Sequence, residues 1–156
     1  MEKAEYQRIA EKYIKSVYYV ALNFCNSKSD AEDAVQNAFY KLLNTDKDFK
    51  DDAHIKSWLI KVAINECKMM WRTYWRKNVI SFEELNEEPE YVENDYRELF
   101  DEVMKLPLKY RAVLHLYYYE GYSCDEIAQI LNITATAVQT RLQRARNKLR
   151  EQLKEA

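Results

Sequence analysis

Residues 123–150 read SCDEIAQILNITATAVQTRLQRARNKLR, and this stretch decides the fold of the C-terminal part of the chain. Ser123 and Glu126 form a capping box that begins a first helix. Asn132 lies at a turn, where it tolerates the left-handed backbone that a tight turn requires. Thr134 can cap a second helix, which carries no acidic residue within the stretch. The pattern therefore predicts a helix-turn-helix.

The second of these helices is predicted to enter the major groove of double-stranded DNA. One side is apolar and faces the first helix, where small Ala128 allows a close crossing. The N-terminal half of such a helix reads base edges, while its arginines meet phosphates. A basic amphipathic helix without a DNA-binding role is the plainer alternative, but the turn chemistry favours the helix-turn-helix. The outward residues are Gln139, Thr140, Gln143 and Arg144.

The composition favours an all-α protein of one medium domain or two small ones. The 156 residues include one glycine, Gly121, and two prolines, so the chain has few turn signals. The charged start at residues 1–5 is unlike a secretion signal, and no apolar run is long enough to span a bilayer. These features predict a cytoplasmic protein that is not inserted in a membrane.

Charge divides the chain into three parts. Residues 79–98 contain eight acidic residues and one basic residue, whereas the flanking parts are slightly basic, although the net charge of the whole chain is only −2. Helical spacing of apolar residues precedes and follows this segment. We therefore expect a helical domain over 1–78, an acidic linker over 79–98 and a second helical domain over 99–156.

The cysteines and histidines do not form a recognisable ligand set. Cys25, Cys67 and Cys124 are far apart in the sequence and fall in helical patterns, so we expect buried thiols and neither a disulfide framework nor a structural zinc. His54 and His115 have no metal-ligand partner at useful spacing. No metal and no cofactor is expected.

The N-terminal part has three helical patterns. The first begins near Tyr6, and the second opens with a capping box at residues 29–32. Residues 45–53 are polar apart from Phe49 and predict a loop. A long helical pattern then runs from His54 to Lys77.

The end of that long helix alternates aromatic and basic residues. Trp71, Tyr74 and Trp75 interleave with Lys68 and other basic residues, as in proteins that stack single-stranded bases beside cations. Alternatively, Trp71 and Trp75, which are four residues apart, pack under a neighbouring helix. These residues alone do not decide between the two interpretations.

Taken together, these motifs resemble the extracytoplasmic-function sigma factors, small two-domain specificity subunits of bacterial RNA polymerase. Residues 30–43 (DAEDAVQNAFYKLL) are similar to the polymerase-binding helix of the family, and residues 55–65 (IKSWLIKVAIN) to the helix that opens the −10 element. Residues 106–123 (LPLKYRAVLHLYYYEGYS) and the helix-turn-helix are similar to the −35-binding domain. The ordered set is more specific than any one motif.

The resemblance implies a role for individual residues. The polymerase-binding residues would be Asp33, Gln36, Phe39 and Tyr40. Phe49 would capture a flipped base of the −10 element. The other residues that would contact the −10 region are Lys61, Asn65, Lys68, Trp71 and Arg72. The −35 bases would face Gln139, Thr140, Gln143 and Arg144, with Arg141 and Arg146 on phosphates.

The resemblance also implies the partners and the kind of activity. These are core RNA polymerase, promoter DNA that is double-stranded at −35 and single-stranded at −10, and an anti-sigma factor. The chain would recognise and melt promoters to start transcription without being an enzyme. The alternative is a helix-turn-helix regulator with an N-terminal sensory or dimerisation domain. Thr136, Gln139 and Gln143 depart from the usual family residues, so the preferred −35 sequence could differ from the usual one.

Overall fold

The computed structural model is built from α-helices. It describes the backbone of residues 1–25, 27–78 and 97–155 and the side chains of residues 1–25, 27–73 and 99–155, and no strand occurs in these ranges. The predicted all-α fold is confirmed. The helices are α1 Lys3–Cys25, α2 Lys28–Asn44, α3 Asp52–Asn78, α4 Arg97–Met104, α5 Leu108–Leu114, a π-helical turn His115–Tyr119, α6 Cys124–Leu131 and α7 Ala135–Glu155.

The chain forms two compact units, Met1–Pro89 and Glu90–Ala156. The division falls within the predicted acidic linker, and residues 79–96 of that linker lie outside the described residues. Helix α4 begins at Arg97, two residues before the predicted start of the second domain.

In the N-terminal unit, α1, α2 and α3 pack against one another in pairs. Each helix buries the apolar side that its spacing predicts. Helix α2 begins at a different serine from the one predicted: the Ser27 hydroxyl accepts the N–H of Asp30, so Ser27 and not Ser29 is the cap. The fully buried residues of this core include Ile9, Val17, Val20, Ala21, Ala31, Ala34, Ala38, Leu42, Leu59, Ile60, Ala63 and Ile64.

Two cysteines form a covalent link that the sequence analysis did not expect. Cys25, the last residue of α1, is disulfide-bonded to Cys67 of α3, with their Cα atoms 5.4 Å apart. Both are buried, and Cys124 is the free cysteine of the described residues. The expectation of three separate thiols was wrong because 42 residues separate the pair in sequence, so no local pattern indicates that they meet.

The N-terminal end of α3 is held to α1 by an ion-pair cluster. The Asp52 carboxylate accepts from Arg8 at 2.7 Å and from Lys12 at 3.2 Å. Hydrogen bonds from Arg8 and Lys12 lower the pKa of Asp52 to about 2. Helix α3 begins at Asp52, two residues before the predicted start at His54.

The C-terminal unit is organised around a buried arginine and α7. The Arg111 guanidinium donates to the carbonyl oxygens of Met104 and Leu106, at 3.5 and 3.3 Å, and so holds the turn between α4 and α5. Burial lowers the pKa of Arg111 to about 10, which leaves it charged at neutral pH. Gln152 of α7 donates to the Glu102 carbonyl at 2.9 Å and ties α7 to α4.

We predict that reducing the Cys25–Cys67 disulfide lowers the free energy of unfolding of the N-terminal unit by about 3–4 kcal/mol, because an open loop of this length has more freedom when unfolded. The measurement is thermal or denaturant unfolding with and without reductant. Cys67→Ser should mimic reduction, whereas Cys124→Ser is the control and should not. Equal midpoints for oxidised and reduced protein would contradict the stabilising role.

The Asp52 cluster predicts a loss of stability in acid. The folded pKa of Asp52 lies below its ordinary value of 3.8, so its contribution is present above about pH 4 and is lost as the pH falls toward 2. In Asp52→Asn this part of the pH dependence should be absent. Unfolding of both proteins between pH 6 and pH 2 tests this, and parallel curves would show that the cluster contributes nothing measurable.

Candidate nucleic-acid and polymerase interfaces

Helix α2 presents a polar and aromatic face to solvent. Asp33, Gln36 and Tyr40 lie on this face at spacings of three and four residues, so they line one side of the helix. Tyr40 is 67 % exposed, so its ring is open to solvent. Three of the four predicted polymerase-binding residues are therefore available to a partner.

The fourth predicted residue, Phe39, differs from the other three because its side chain is buried. Its side chain is only 5 % exposed, and its ring packs edge-on against Tyr6 of α1, with 6.4 Å between centroids. The helical period places Phe39 on the inward side of α2. Phe39 therefore supports the shape of the helix and does not offer its ring to a partner.

A buried carboxylate fixes α2 against α3. Lys41 donates to Glu66 at 2.5 Å, and the Asn37 amide donates to the same carboxylate at 3.3 Å. Glu66 is buried, and these two donors satisfy its carboxylate. The pair sets the placement of the exposed face of α2 relative to the exposed face of α3.

An aromatic cluster lies between α2 and α3. The ring of Phe49, in the connecting loop, packs against His54 and Trp58 with centroid distances of 5.2 and 5.5 Å. Because His54 and Trp58 are one helical turn apart, they line one side of α3. Lys47 brings its ammonium group to 6.0 Å from the Phe49 ring. Phe49 and Trp58 are half-buried, so the cluster is both packed and accessible.

A polar and basic stripe runs along α3. Lys61, Asn65 and Arg72 are exposed and Lys68 is half-buried, and their spacings of four, three and four residues keep them on one side. Met69 lies in the same stripe and is 55 % exposed. The sequence analysis missed Met69, although an apolar residue among exposed polar neighbours at helical spacing was the available signal.

The structure favours packing over stacking for Trp71. Its indole N–H donates to the carbonyl of Phe24 in the last turn of α1, at 3.1 Å, and the side chain is half-buried. Trp71 thus anchors α3 to α1, and its contact with the −10 strand stays a prediction. The side chain of Trp75 lies outside the described residues.

The helix-turn-helix has the predicted local chemistry. Both halves of the Ser123–Glu126 capping box are present. Asn132 has a left-handed backbone with φ of 57°, and the Thr134 hydroxyl accepts the N–H of Ala137 at 3.0 Å. These bonds set the angle at which α7 leaves the turn.

Helix α7 separates an apolar side from a polar side. Val138, Leu142 and Ala145 are buried against the rest of the unit. Most of the predicted −35 contacts lie on the polar side of α7. Arg141 among them is half-buried, and Arg146 is described below. The exposed ones are Gln139, Thr140, Gln143 and Arg144.

Arg146 differs from the other predicted contacts. Its Nε donates to the Tyr118 hydroxyl at 2.7 Å, and its guanidinium lies 6.0 Å from the Tyr117 ring and 5.7 Å from the Tyr118 ring. Arg146 therefore packs on the π-helical turn. Its phosphate contact stays a prediction, but the side chain also holds α7 in place.

Two conserved regions of the sigma-70 proteins match parts of this chain. Sigma-70 region 2 matches residues 9–77, and sigma-70 region 4 matches residues 96–149. The sigma factor SigV of Bacillus subtilis is 30 % identical, and the match covers 87 % of this chain and 83 % of SigV. The chain belongs to the extracytoplasmic-function sigma factors. The ECF sigma factor SigW of Bacillus subtilis is 27 % identical, with coverage of 94 % and 88 %.

Two solved structures share the fold. RpoE of Bartonella quintana, in complex with the anti-sigma factor NepR, has a TM-score of 0.78 at 21 % identity, covering 96 % of this chain and 97 % of that one. CnrH, in complex with the cytosolic domain of CnrY, has a TM-score of 0.70 at 22 % identity, covering 99 % and 90 %. Among the described helices of this sigma factor, none combines the length and the apolar character needed to span a bilayer.

For this sigma factor we predict different consequences of removing two arginines of α7. Arg144→Ala should relax the preference at one −35 base pair by about 1–3 kcal/mol, because an exposed bidentate side chain discriminates bases. Arg146→Ala should instead lower the free energy of unfolding of the C-terminal unit by about 1 kcal/mol, because it loses the Tyr118 bond. Binding to single-base −35 variants and thermal unfolding measure the two effects. Equal losses for all bases with Arg144→Ala would show that Arg144 contacts only phosphate.

Proposed function

We propose that this sigma factor binds core RNA polymerase through α2, holds the separated −10 strand on α3 and its preceding loop, and reads duplex −35 DNA with α7. The observation that carries the proposal is the continuous solvent-accessible face from half-buried Phe49 and Trp58 to exposed Arg72. This face combines aromatic rings with cations, whereas the opposite side of α3 closes the core.

The face of α2 supports the polymerase contact. Asp33 is exposed and acidic, Gln36 can donate and accept hydrogen bonds, and Tyr40 offers a large rigid ring. Tyrosine is enriched at the hot spots of protein–protein interfaces, the few positions that contribute most of the binding free energy. Phe39 is left out of the proposed contact because its ring is buried.

The face of α3 supports a single-stranded ligand. Aromatic side chains stack on unpaired bases, and neighbouring cations follow the phosphates. Phe49 lies at one end of the stripe and Lys61, Asn65 and Arg72 continue it, so a strand that stacks on the ring would meet basic side chains next. Duplex DNA would not expose its bases to Phe49.

The face of α7 supports a duplex ligand. Its exposed residues include two glutamines and Arg144, side chains that form bidentate bonds with adenine and guanine edges in the major groove. The two units would thus contact the same promoter in two different ways.

We further propose that the protein works in the cytoplasm, has no catalysis of its own and is regulated by an anti-sigma factor. Two related folds are known in complexes with an anti-sigma factor or a cytosolic partner domain, which supports such a partner here. The alternative of a regulator with an N-terminal sensory domain loses its basis, because residues 9–77 match sigma-70 region 2.

Run-off transcription with core polymerase on a library of promoter fragments tests the function. Asp33→Arg should weaken binding to core polymerase by about tenfold or more, equal to ~1.4 kcal/mol or more, because it reverses an exposed charge at the proposed contact. The measurement is the affinity of the purified sigma factor for core polymerase.

The matched control is Glu11→Arg, the same charge change at an exposed position of α1. It should bind core polymerase like the wild type. If both variants bind equally well, α2 is not the polymerase contact, and if the wild type directs no transcription from any fragment, the proposed function fails.

A further inference from the structure

The loop that carries Phe49 is organised by hydrogen bonds from its own residues and from the first turn of α3. The loop spans residues 45–51. At its start, the Thr45 hydroxyl accepts the N–H of Lys47 at 3.2 Å. At its end, the Asp51 carboxylate accepts the N–H of His54 at 2.8 Å, which makes Asp51 the N-cap of α3.

His54 bonds back to the loop. Its Nδ1 accepts the backbone N–H of Lys50, the residue next to Phe49, at 3.0 Å. In a common capping box the third helical residue bonds to the N–H of the N-cap itself. Here the histidine reaches one residue further, so the peptide between Phe49 and Lys50 is fixed.

The same imidazole also contacts the Phe49 ring. The two ring centroids are 5.2 Å apart and the planes are inclined by 72°. Because Nδ1 is the acceptor, the proton of the neutral ring is on Nε2. A single side chain therefore fixes both the backbone after Phe49 and one side of its ring.

We propose that His54 is a positioning residue for Phe49 in promoter opening. It holds the ring at the N-terminal end of the basic stripe of α3, one turn before Trp58, where a separated base would be captured. This inference rests on the proposed function, in which this face binds the open strand. His54 acts through Phe49 and does not itself contact the base.

The competing explanation is that His54 only fills space beside Phe49. Two substitutions separate the explanations. His54→Phe keeps an aromatic ring next to Phe49 but removes the acceptor for the Lys50 N–H. His54→Asn removes the ring but keeps an acceptor oxygen near the place of Nδ1, since the asparagine side chain has the same length to that atom.

The experiment uses holoenzyme assembled from full-length sigma factor and core polymerase. Opening is followed by permanganate reactivity and by the fluorescence of 2-aminopurine at each −10 position. Loss of one hydrogen bond should weaken opening by about 3- to 10-fold in His54→Phe, whereas His54→Asn should stay within about twofold of the wild type. Phe49→Ala should show the larger loss, at the same base positions as His54→Phe.

Binding of core polymerase and of −35 duplex is measured for every variant, because both should be equal to wild type in His54→Phe. Thermal unfolding shows that each variant is folded at the assay temperature, since loss of the Lys50 bond should lower the unfolding midpoint only slightly. A His54→Phe holoenzyme that opens promoters like the wild type, or a His54→Asn that is as defective as His54→Phe, overturns the inference. Normal opening by Phe49→Ala would instead overturn the proposed role of this face, so the two failures are distinguishable.

Discussion

Lys41 of α2 donates to the buried carboxylate of Glu66 on α3, and this ion pair joins the two helices that carry the exposed faces of the N-terminal unit. The Glu66 side chain is largely shielded from water, so its carboxylate needs hydrogen-bond donors, and this favours the placement of the two helices in which the pair forms. Asn37 supplies a second donor to the same group. The exposed face of α2 and the stripe on α3 therefore hold a fixed relation, which a protein that bridges polymerase and DNA requires.

Helix α3 packs into the core with one side and is exposed to solvent on the other. Its buried side meets α1 and α2 and includes Cys67, which is bonded to Cys25. Its exposed side carries the proposed strand contacts. Because both sides belong to one rigid helix, the attachment of α3 to α1 at both ends, through Asp52 and through Trp71, also positions the exposed side.

Local chemistry was predictable from the sequence. The helical periods and the capping box at Ser123 are confirmed, as is the left-handed Asn132, because each depends on residues within a few positions of one another. The start of α2 was misplaced because Ser27 and Ser29 are both good caps, and only packing against the other helices decides between them.

Contacts between distant segments were not predictable in the same way. The Cys25–Cys67 pair and the bond from Trp71 to Phe24 depend on how α1 packs on α3, which no local spacing encodes. For Phe39 two signals conflicted, since its helical period indicated the core and the family resemblance indicated a partner. The inward placement that the period indicates is confirmed, because Phe39 is buried in the core, while its polymerase contact stays a prediction.

The core limits which aromatic side chains are available for recognition. The apolar sides of the helices are used by the core, and Phe39 and Trp71 follow that rule in α2 and α3. Phe49, which we propose meets a flipped base, lies in the loop, where the helical period does not direct its side chain into the core. A loop residue lacks the support of a helix, so its position depends on bonds to a neighbouring helix, and His54 provides one to the adjoining residue. The reach of that side chain back into the loop compensates for the missing helical support.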